Sequence, residues 1–338
     1  MLVIGNQTVR DVLDDREPDI LDAVRRAYVT HAAHDTSLPH SVFLRFPDVP
    51  QNRIIGLPAY LGGTSPVAGM KWISSFPGNI AAGLERASAA IVLNSLSTGH
   101  PQALIEASVI SARRTAASAA LAVGALTDAA AHTGVSLVGS GVINGEVLRF
   151  LRVVAPGLRS VRLFDLDRAR AAAFARTHAA DLEVTYAESL DEALAAHPLV
   201  SFATTAAVPH TGLAACRPGT LVLHLSLRDV TPESLLDAVN VVDDPDHVCR
   251  ADTSPHLAEQ LVGHRDFITT SIGEVLAAAG RYEPDRERVT VFSPFGLGVL
   301  DLALAELVHN TAVRDGLGVR MNDFLPVPAR ETAARPAG

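Results

Sequence analysis

The sequence is nearly without lysine. Of 28 basic residues in 338, only Lys71 is a lysine, so 27 are arginine. Arginine replaces lysine everywhere along the chain, which points to genome base composition as the general cause and makes the one exception informative. Tryptophan is equally scarce: Trp72 stands alone, next to that lysine. Cys216 and Cys249 lie far apart in no CxxC pair, which argues against a thiolate zinc centre or a disulfide framework and fits a reduced cytosol. The 13 histidines show no HxxxH or HExxH spacing, so no metal is expected, and His40, His100, His210 and His224 read as loop or core residues. Formal charge is −9 and no window gathers a basic stripe, which argues against nucleic acid as a partner. The opening "MLVIGNQTVRDVLDD" has no charged-then-apolar export pattern, and its apolar run is too short to span a bilayer. The expectation is a cytoplasmic protein with no membrane partner.

What is present is apolar and rhythmic. At 338 residues and 48% apolar, the chain is long enough for two domains with substantial cores. From Val135 onward, short apolar runs ("VSLVGSG", "SVRLFD", "LEVTYA", "LVSFATT", "TLVLHLS", "NVVDD") alternate with helical segments such as "RARAAAFARTHA", "LDEALAAH" and "TPESLLDA". That alternation predicts parallel strands in a doubly wound, Rossmann-type α/β sheet covered on both faces. The first 120 residues break the rhythm. A helical pattern over Ile20–Ala32 precedes Pro- and Gly-punctuated strand-like runs, "SVFLRF", "RIIGLPAY" and "GMKWISSF", which predict an α+β domain with an antiparallel or mixed sheet. A long Ala-rich helix is expected over Gln102–Ala130, and "GVLDLALAELVHNTAV" reads as a strongly amphipathic helix, with "VRMNDF" returning as a strand. The expected division is residues 1–120 with 310–328, residues 121–309, and a fraying Pro- and Ala-rich tail at 329–338.

"GSGVIN" closes a strand and opens a helix. Gly139 permits the tight turn and Gly141 lets backbone approach a pyrophosphate; the third glycine of the usual fingerprint is replaced by Asn144, with Gly145 next. Asp165, 24 residues beyond Gly141, ends the next strand, where a carboxylate can accept both ribose hydroxyls and repel a 2′-phosphate. NAD is favoured on this charge argument, with NADP kept open by nearby Arg162 and Arg168.

"GMKWISSFPGN", "ISARRTAASAALAV", "SLRD" and "VFSPFG", in that order and spacing from about Arg45 to Asp301, resemble the ornithine cyclodeaminase/mu-crystallin family. Within it, "SVFLRFP", "LPAYLGG" and "RASAAIVLN" are most similar to the branch that makes 2,3-diaminopropionate by oxidising N-(2-amino-2-carboxyethyl)-L-glutamate. The resemblance implies a homodimer, a first domain that binds a small amino-acid conjugate and pairs subunits, and NAD in the second. Catalytic roles fall on Lys71 and Asp229. Substrate contacts fall on Arg45, Arg53, Lys71 and Arg114. Cofactor contacts fall on Arg86, Arg114, Thr115, Gly139, Ser140, Gly141, Val142, Ile143, Asn144, Asp165, Thr204, Ser226, Leu227 and Arg228. Two departures stand out. Where cyclodeaminases are glycine-rich before the aspartate, this chain has Ser226-Leu227-Arg228, and a carboxylate near "RIIGLPAYLGG" that would hold the side-chain amine of ornithine is missing.

Chemistry argues in the same direction. A substrate with three carboxylates needs cations, and arginine forks bind carboxylates bidentately. Arginine keeps its proton near neutral pH, whereas a lysine can surrender one or act as a compact charge, so Lys71 is expected at the reacting centre; the plain alternative is a packed stem with its head in water. Trp72, on the other strand face, is expected in a core, and "DDPDHVC" is expected to be a solvated loop. The expected activity is NAD-dependent oxidative cleavage of the conjugate to 2,3-diaminopropionate and 2-oxoglutarate, serving siderophore or peptide-antibiotic synthesis. The alternatives are an ammonia lyase of the cyclodeaminase type and a non-catalytic binding protein of the mu-crystallin type.

Overall fold

The computed structural model describes residues 1–278, 280 and 282–326. The tail expected at 329–338 lies outside the described residues. The chain opens with β1 (Leu2–Ile4), α1 (Asn6–Leu13), α2 (Glu17–Ala32), β2 (Thr36–Ser37) and β3 (Val42–Arg45). It continues through β4 (Arg53–Leu61), β5 (Val67–Ser75), β6 (Ala87–Asn94), β7 (Pro101–Glu106) and α3 (Ser108–Leu126). Then follow β8 (Gly134–Val138), α4 (Val142–Val154), β9 (Ser160–Phe164), α5 (Arg168–His178), β10 (Glu183–Tyr186), α6 (Leu190–Ala196) and β11 (Leu199–Phe202). After β12 (Leu221–His224) come α7 (Pro232–Leu236), β13 (Val239–Val242), α8 (Pro245–Val248), α9 (Ser254–Val262), β14 (Ile268–Ser271) and α10 (Ile272–Ala277). The last elements are β15 (Thr290–Ser293), α11 (Gly298–Asp315) and β16 (Val319–Arg320).

Two compact units result. The first comprises Met1–Asp14, Thr36–Ile110 and the chain from Asp301; the second comprises Asp15–Asp35 and Ser111–Leu300. The boundaries fall inside α3 and α11, and α2 belongs to the second unit although it precedes the strands of the first. Packing explains that grouping. The Tyr28 hydroxyl of α2 hydrogen-bonds Ser118 of α3. Gly273 of α10 leaves so little room that a Cβ there would stand 2.7 Å from the Tyr28 carbonyl oxygen.

The first unit is a mixed sheet in the order β16-β1-β7-β6-β5-β4-β2, with β3 also on β4. Its centre, β4 to β7, is an antiparallel meander, while β1 runs parallel to β7 and β16 returns antiparallel to β1. The helix expected from Gln102 begins later, because residues 101–106 pair with both β1 and β6 as β7. Ala103 and Ile105 are fully buried while Gln102 is exposed and Leu104 half-buried, a period of two that the alanine bias downstream masks. Glu106 then marks the change of structure: its Oε1 accepts the Ser108 amide at 2.8 Å as α3 begins.

The second unit carries eight parallel strands in the order β10-β9-β8-β11-β12-β15-β13-β14. Strands β8, β11, β12, β13 and β15 are buried along their whole length, as expected for a sheet covered on both faces. The chain leaves β8 in one direction through β9 and β10, then returns to β11 on the other side. The crevice beyond the carboxyl ends of β8 and β11 is therefore the switch point at which such sheets bind ligands. Helix α11 differs from the amphipathic expectation in its first turns: Gly298 to Ala305 are buried on every side.

Candidate active site

In the first unit the strand register gathers cations on one sheet face. Lys71 pairs across with Leu57, Arg53 with Ser75, and Arg45 with Arg53, so Lys71, Arg53 and Arg45 share a face. Arg86, just before β6, donates its Nε to Ser75 Oγ at 3.2 Å, and burial pushes its guanidinium below the ordinary range. Arg45 is exposed, its guanidinium 5.7 Å from the Phe43 ring centroid.

Lys71 itself is buried, with 2% of its side chain exposed. Its Nζ donates to Asp301 Oδ2 at 2.7 Å, and Asp301 is fully buried in the first turn of α11. The ammonium is therefore neither a solvated head nor a bare charge. Asp301 carries little signal in the sequence. Its only signal is an acid set within "GLGVLDLALA", where every neighbour is apolar or glycine. Trp72 occupies the opposite face, but it is 41% exposed and lies over Gly56, not in a core. Val42 and Leu44 of β3 and Met70 of β5 share that exposed face.

In the second unit the candidate cofactor residues line the carboxyl ends of β9, β8, β11 and β12. Gly139 has φ +91°, and a Cβ there would meet the Ala203 carbonyl oxygen at 2.5 Å, so only glycine fits the turn. A Cβ on Gly141 would meet nothing within 4 Å, which leaves room for a diphosphate at the start of the 13-residue α4. The Ser140 hydroxyl is buried without a hydrogen-bond partner among the described residues. Asp165 fixes the turn, accepting the Ser140 amide at 2.7 Å and the Asp167 amide at 2.9 Å. These features fit a dinucleotide.

Val142 is exposed and Ile143 half-buried, whereas Asn144 is fully buried and faces inward. The Asn144 Nδ2 donates to the Val138 and Gly139 carbonyls at 3.0 and 2.7 Å, and its Oδ1 accepts from Ser201 at 2.7 Å. The close packing usually assigned to the third glycine falls to Gly145, where a Cβ would stand 2.8 Å from the His178 ring. On α3, Arg114 is nearly buried and its guanidinium occupies the space beside Gly296, whose φ is +96°. Thr115 donates its hydroxyl to the Ser111 carbonyl at 2.8 Å.

Asp229 is held by side chains from several segments of this unit. Thr204 and Ser226 both donate hydroxyls to it, one to each oxygen, and His210 Nε2 lies 3.3 Å from Oδ1. Burial alone raises its pKa, but His224, Ser226 and Thr204 more than offset that and hold it at about 2. The His224 contribution is ambiguous in geometry. Its Nε2 lies 3.2 Å from the Asp229 amide and 3.5 Å from Oδ2, and one nitrogen cannot accept from the first while donating to the second. The shorter contact favours acceptance, which leaves the two hydroxyls as the donors that anchor the carboxylate. His210 and His224, read from sequence as loop or core residues, thus both meet Asp229.

Leu227 adopts φ +66°, a left-handed conformation that favours glycine, and the strain is about 1–3 kcal/mol. Its side chain is buried with Val242, Val248 and Cys249, and Arg228 donates to the Ala251 carbonyl at 2.5 Å. The acidic segment after β13 is not the expected solvated loop. Asp243 is buried and accepts the Phe295 and Gly296 amides at 2.9 and 2.6 Å, which fixes the loop beside Arg114. Asp244 caps α8 and contacts His31 at 3.0 Å; only Asp246 is solvated. Both cysteines are free, with burial pushing the Cys216 thiol up to about 11 and Cys249 up to about 12, so neither is a ready nucleophile.

The family model for the ornithine cyclodeaminase/mu-crystallin family matches residues 10–316. The chain belongs to this family. N-((2S)-2-amino-2-carboxyethyl)-L-glutamate dehydrogenase of Staphylococcus aureus is 24% identical over 333 residues, 95% of this chain and 98% of that protein. The crystal structure of CmnK superposes with a TM-score of 0.88 at 29% identity, covering 96% of this chain and 99% of that one. An archaeal alanine dehydrogenase dimer with bound NAD superposes with a TM-score of 0.85 at 24% identity, covering 96% and 99%. All three cover almost the full length, so both units belong to the shared fold.

Proposed function

We propose that the protein oxidatively cleaves N-((2S)-2-amino-2-carboxyethyl)-L-glutamate to 2,3-diaminopropionate and 2-oxoglutarate. It is an NAD-dependent dehydrogenase of the ornithine cyclodeaminase/mu-crystallin family. The observation that carries the substrate reading is the cationic face of the first unit. Lys71, Arg53 and Arg45 share that face, which suits a substrate with three carboxylates. The segment "RIIGLPAYLGG" lacks the acid that an ornithine side-chain amine requires. When bound, NAD⁺ would take a hydride from the glutamate α-carbon. Gly139, Ser140, Gly141 and the α4 N-terminus would hold its diphosphate, and Asp165 its ribose. Lys71, kept in place by Asp301, binds a carboxylate next to the reacting carbon. Asp229, ionised and rigid, stabilises the positive charge that develops on the substrate nitrogen.

The product, a diamino acid, suits siderophore or peptide-antibiotic assembly, in a cytoplasmic homodimer. Dimer formation is supported by the apolar face carrying Trp72, Met70, Val42 and Leu44.

One assay tests the reading. Purified protein is given NAD⁺ with the conjugate, then with ornithine, while NADH and ammonia are followed. Net NADH from the conjugate is expected; ammonia from ornithine without net NADH would instead identify a cyclodeaminase, and neither signal a binding protein. Lys71→Ala should lose turnover ~100-fold or more with NAD⁺ affinity retained.

A further inference from the structure

Asp229 is badly placed to move protons. Each of its oxygens already accepts a hydroxyl, from Thr204 and from Ser226, and the side chain is fully buried. His210 differs on every count. Its side chain is 40% exposed, its Nε2 faces Asp229 Oδ1 at 3.3 Å, and its Nδ1 has no hydrogen-bond partner among the described residues. The backbone fixes the pair as firmly as the side chains do. The amides of His210 and Thr211 both donate to the Asp229 carbonyl, at 2.9 and 3.1 Å, and Thr211 forms a parallel bridge with Val230. His210 lies on the connection that leaves the carboxyl end of β11, Asp229 follows the carboxyl end of the parallel neighbour β12, and the start of that connection abuts the Gly139 turn at Ala203 and Thr204. A carboxylate that holds one imidazole nitrogen and leaves the other facing outward is the arrangement of an oriented general base.

We propose that His210 is the acid/base of the hydrolytic half-reaction, with Asp229 as the residue that orients it. The inference rests on the substrate reading above and deepens it. Once the nicotinamide oxidant has produced the carbon–nitrogen double bond, water adds to that carbon. The C–O bond forms, the π pair moves to nitrogen, and the proton of water goes to His210 Nδ1. The imidazolium returns this proton to the nitrogen. The C–N bond then breaks with its electron pair leaving on the amine, the carbonyl of 2-oxoglutarate forms, and Nδ1 collects the hydroxyl proton. Ser226 and Thr204 keep Asp229 from turning away from the ring.

Two measurements test this in the full-length protein. In a single turnover with NAD⁺ and the conjugate, His210→Ala should form NADH at the wild-type rate but release 2-oxoglutarate ~100-fold or more slowly, with partial rescue by added imidazole. His210→Gln, which still offers an N–H to Asp229 but cannot shuttle a proton, should be equally slow, and NAD⁺ titration verifies that both variants are folded. Product release at the wild-type rate in His210→Ala, or recovery in His210→Gln, would overturn the acid/base role. Wild-type protein that makes no NADH from the conjugate overturns the substrate reading and the hydrolytic role with it. Separately, without substrate or cofactor, ¹⁵N resonances of the histidine rings should place the His210 proton on Nε2, with that preference lost in Asp229→Asn. A proton on Nδ1 in the wild type would refute the orienting contact.

Discussion

Lys71 shows how far one side chain depends on another that lies 230 residues away. Removing Asp301 takes away the carboxylate 2.7 Å from an ammonium buried at 2% exposure. Asp301→Ala should therefore destabilise the protein by about 3–5 kcal/mol, seen as a lower urea midpoint, whereas Lys71→Met with Asp301→Leu should be nearer to wild type in stability while remaining inactive. A pair worth little in stability would leave the midpoint of Asp301→Ala unmoved. The scarcity of lysine marks position 71 in the sequence, whereas the burial of its ammonium depends on the three-dimensional pairing. His210 had no signal at all, because its partner carboxylate is 19 residues away across a strand end and no spacing rule connects them.

The β8–α4 turn was legible at the level of the element. Its two glycines, the strand before and the helix after are local features, and local sterics decide them. Gly139→Ala places a Cβ at a left-handed φ and 2.5 Å from a backbone oxygen that cannot give way. That variant should lose NAD⁺ affinity and some stability together, measurable by calorimetric titration and thermal melting. The neighbouring Asn144 was less legible. A glycine-replacing asparagine in such a motif reads as a ligand contact, yet its amide is occupied with two carbonyls and Ser201 inside the fold. The misplaced start of α3 has a similar origin: alanine-rich sequence has helical propensity, but pairing with β1 and β6 overrides it at residues 101–106.

At the scale of the molecule, two strongly lowered carboxylates contribute to the response to acid. Asp229 and Asp244 are each held at about 2, below the ordinary carboxylate value near 3.8. A folded pKa below the unfolded one stabilises the protein above the unfolded value, and that stability is lost as pH falls toward the folded value. Stability should thus hold down to about pH 4 and decline toward about pH 2, by about 2–3 kcal/mol for the buried Asp229 alone. Asp243 acts in the opposite sense, since burial raises its pKa and protonation favours the fold. Asp229→Asn should flatten the acid limb of a denaturation series; an unchanged limb would show that the carboxylate is not held low.

In the proposed homodimer, the apolar face of the first unit carrying Trp72, Met70, Val42 and Leu44 governs association. Trp72→Glu should then sediment as a monomer, and in the wild type the single tryptophan gives a second reading, with emission shifting to the red as dilution separates the subunits; a wild type that sediments as a monomer would overturn the proposed dimer.

Sequence by itself determined the parallel sheet, the dinucleotide turn, the mixed strands of the first unit and the family, because each rests on periodicity, glycine sterics or contiguous motifs. Tertiary structure alone decided that Asp301 holds Lys71, that Asp243 fixes the loop beside Arg114, and that His210 meets Asp229. Those contacts join segments distant in the chain, and their energies come from burial and charge pairing, which exist only after the strands and helices have packed.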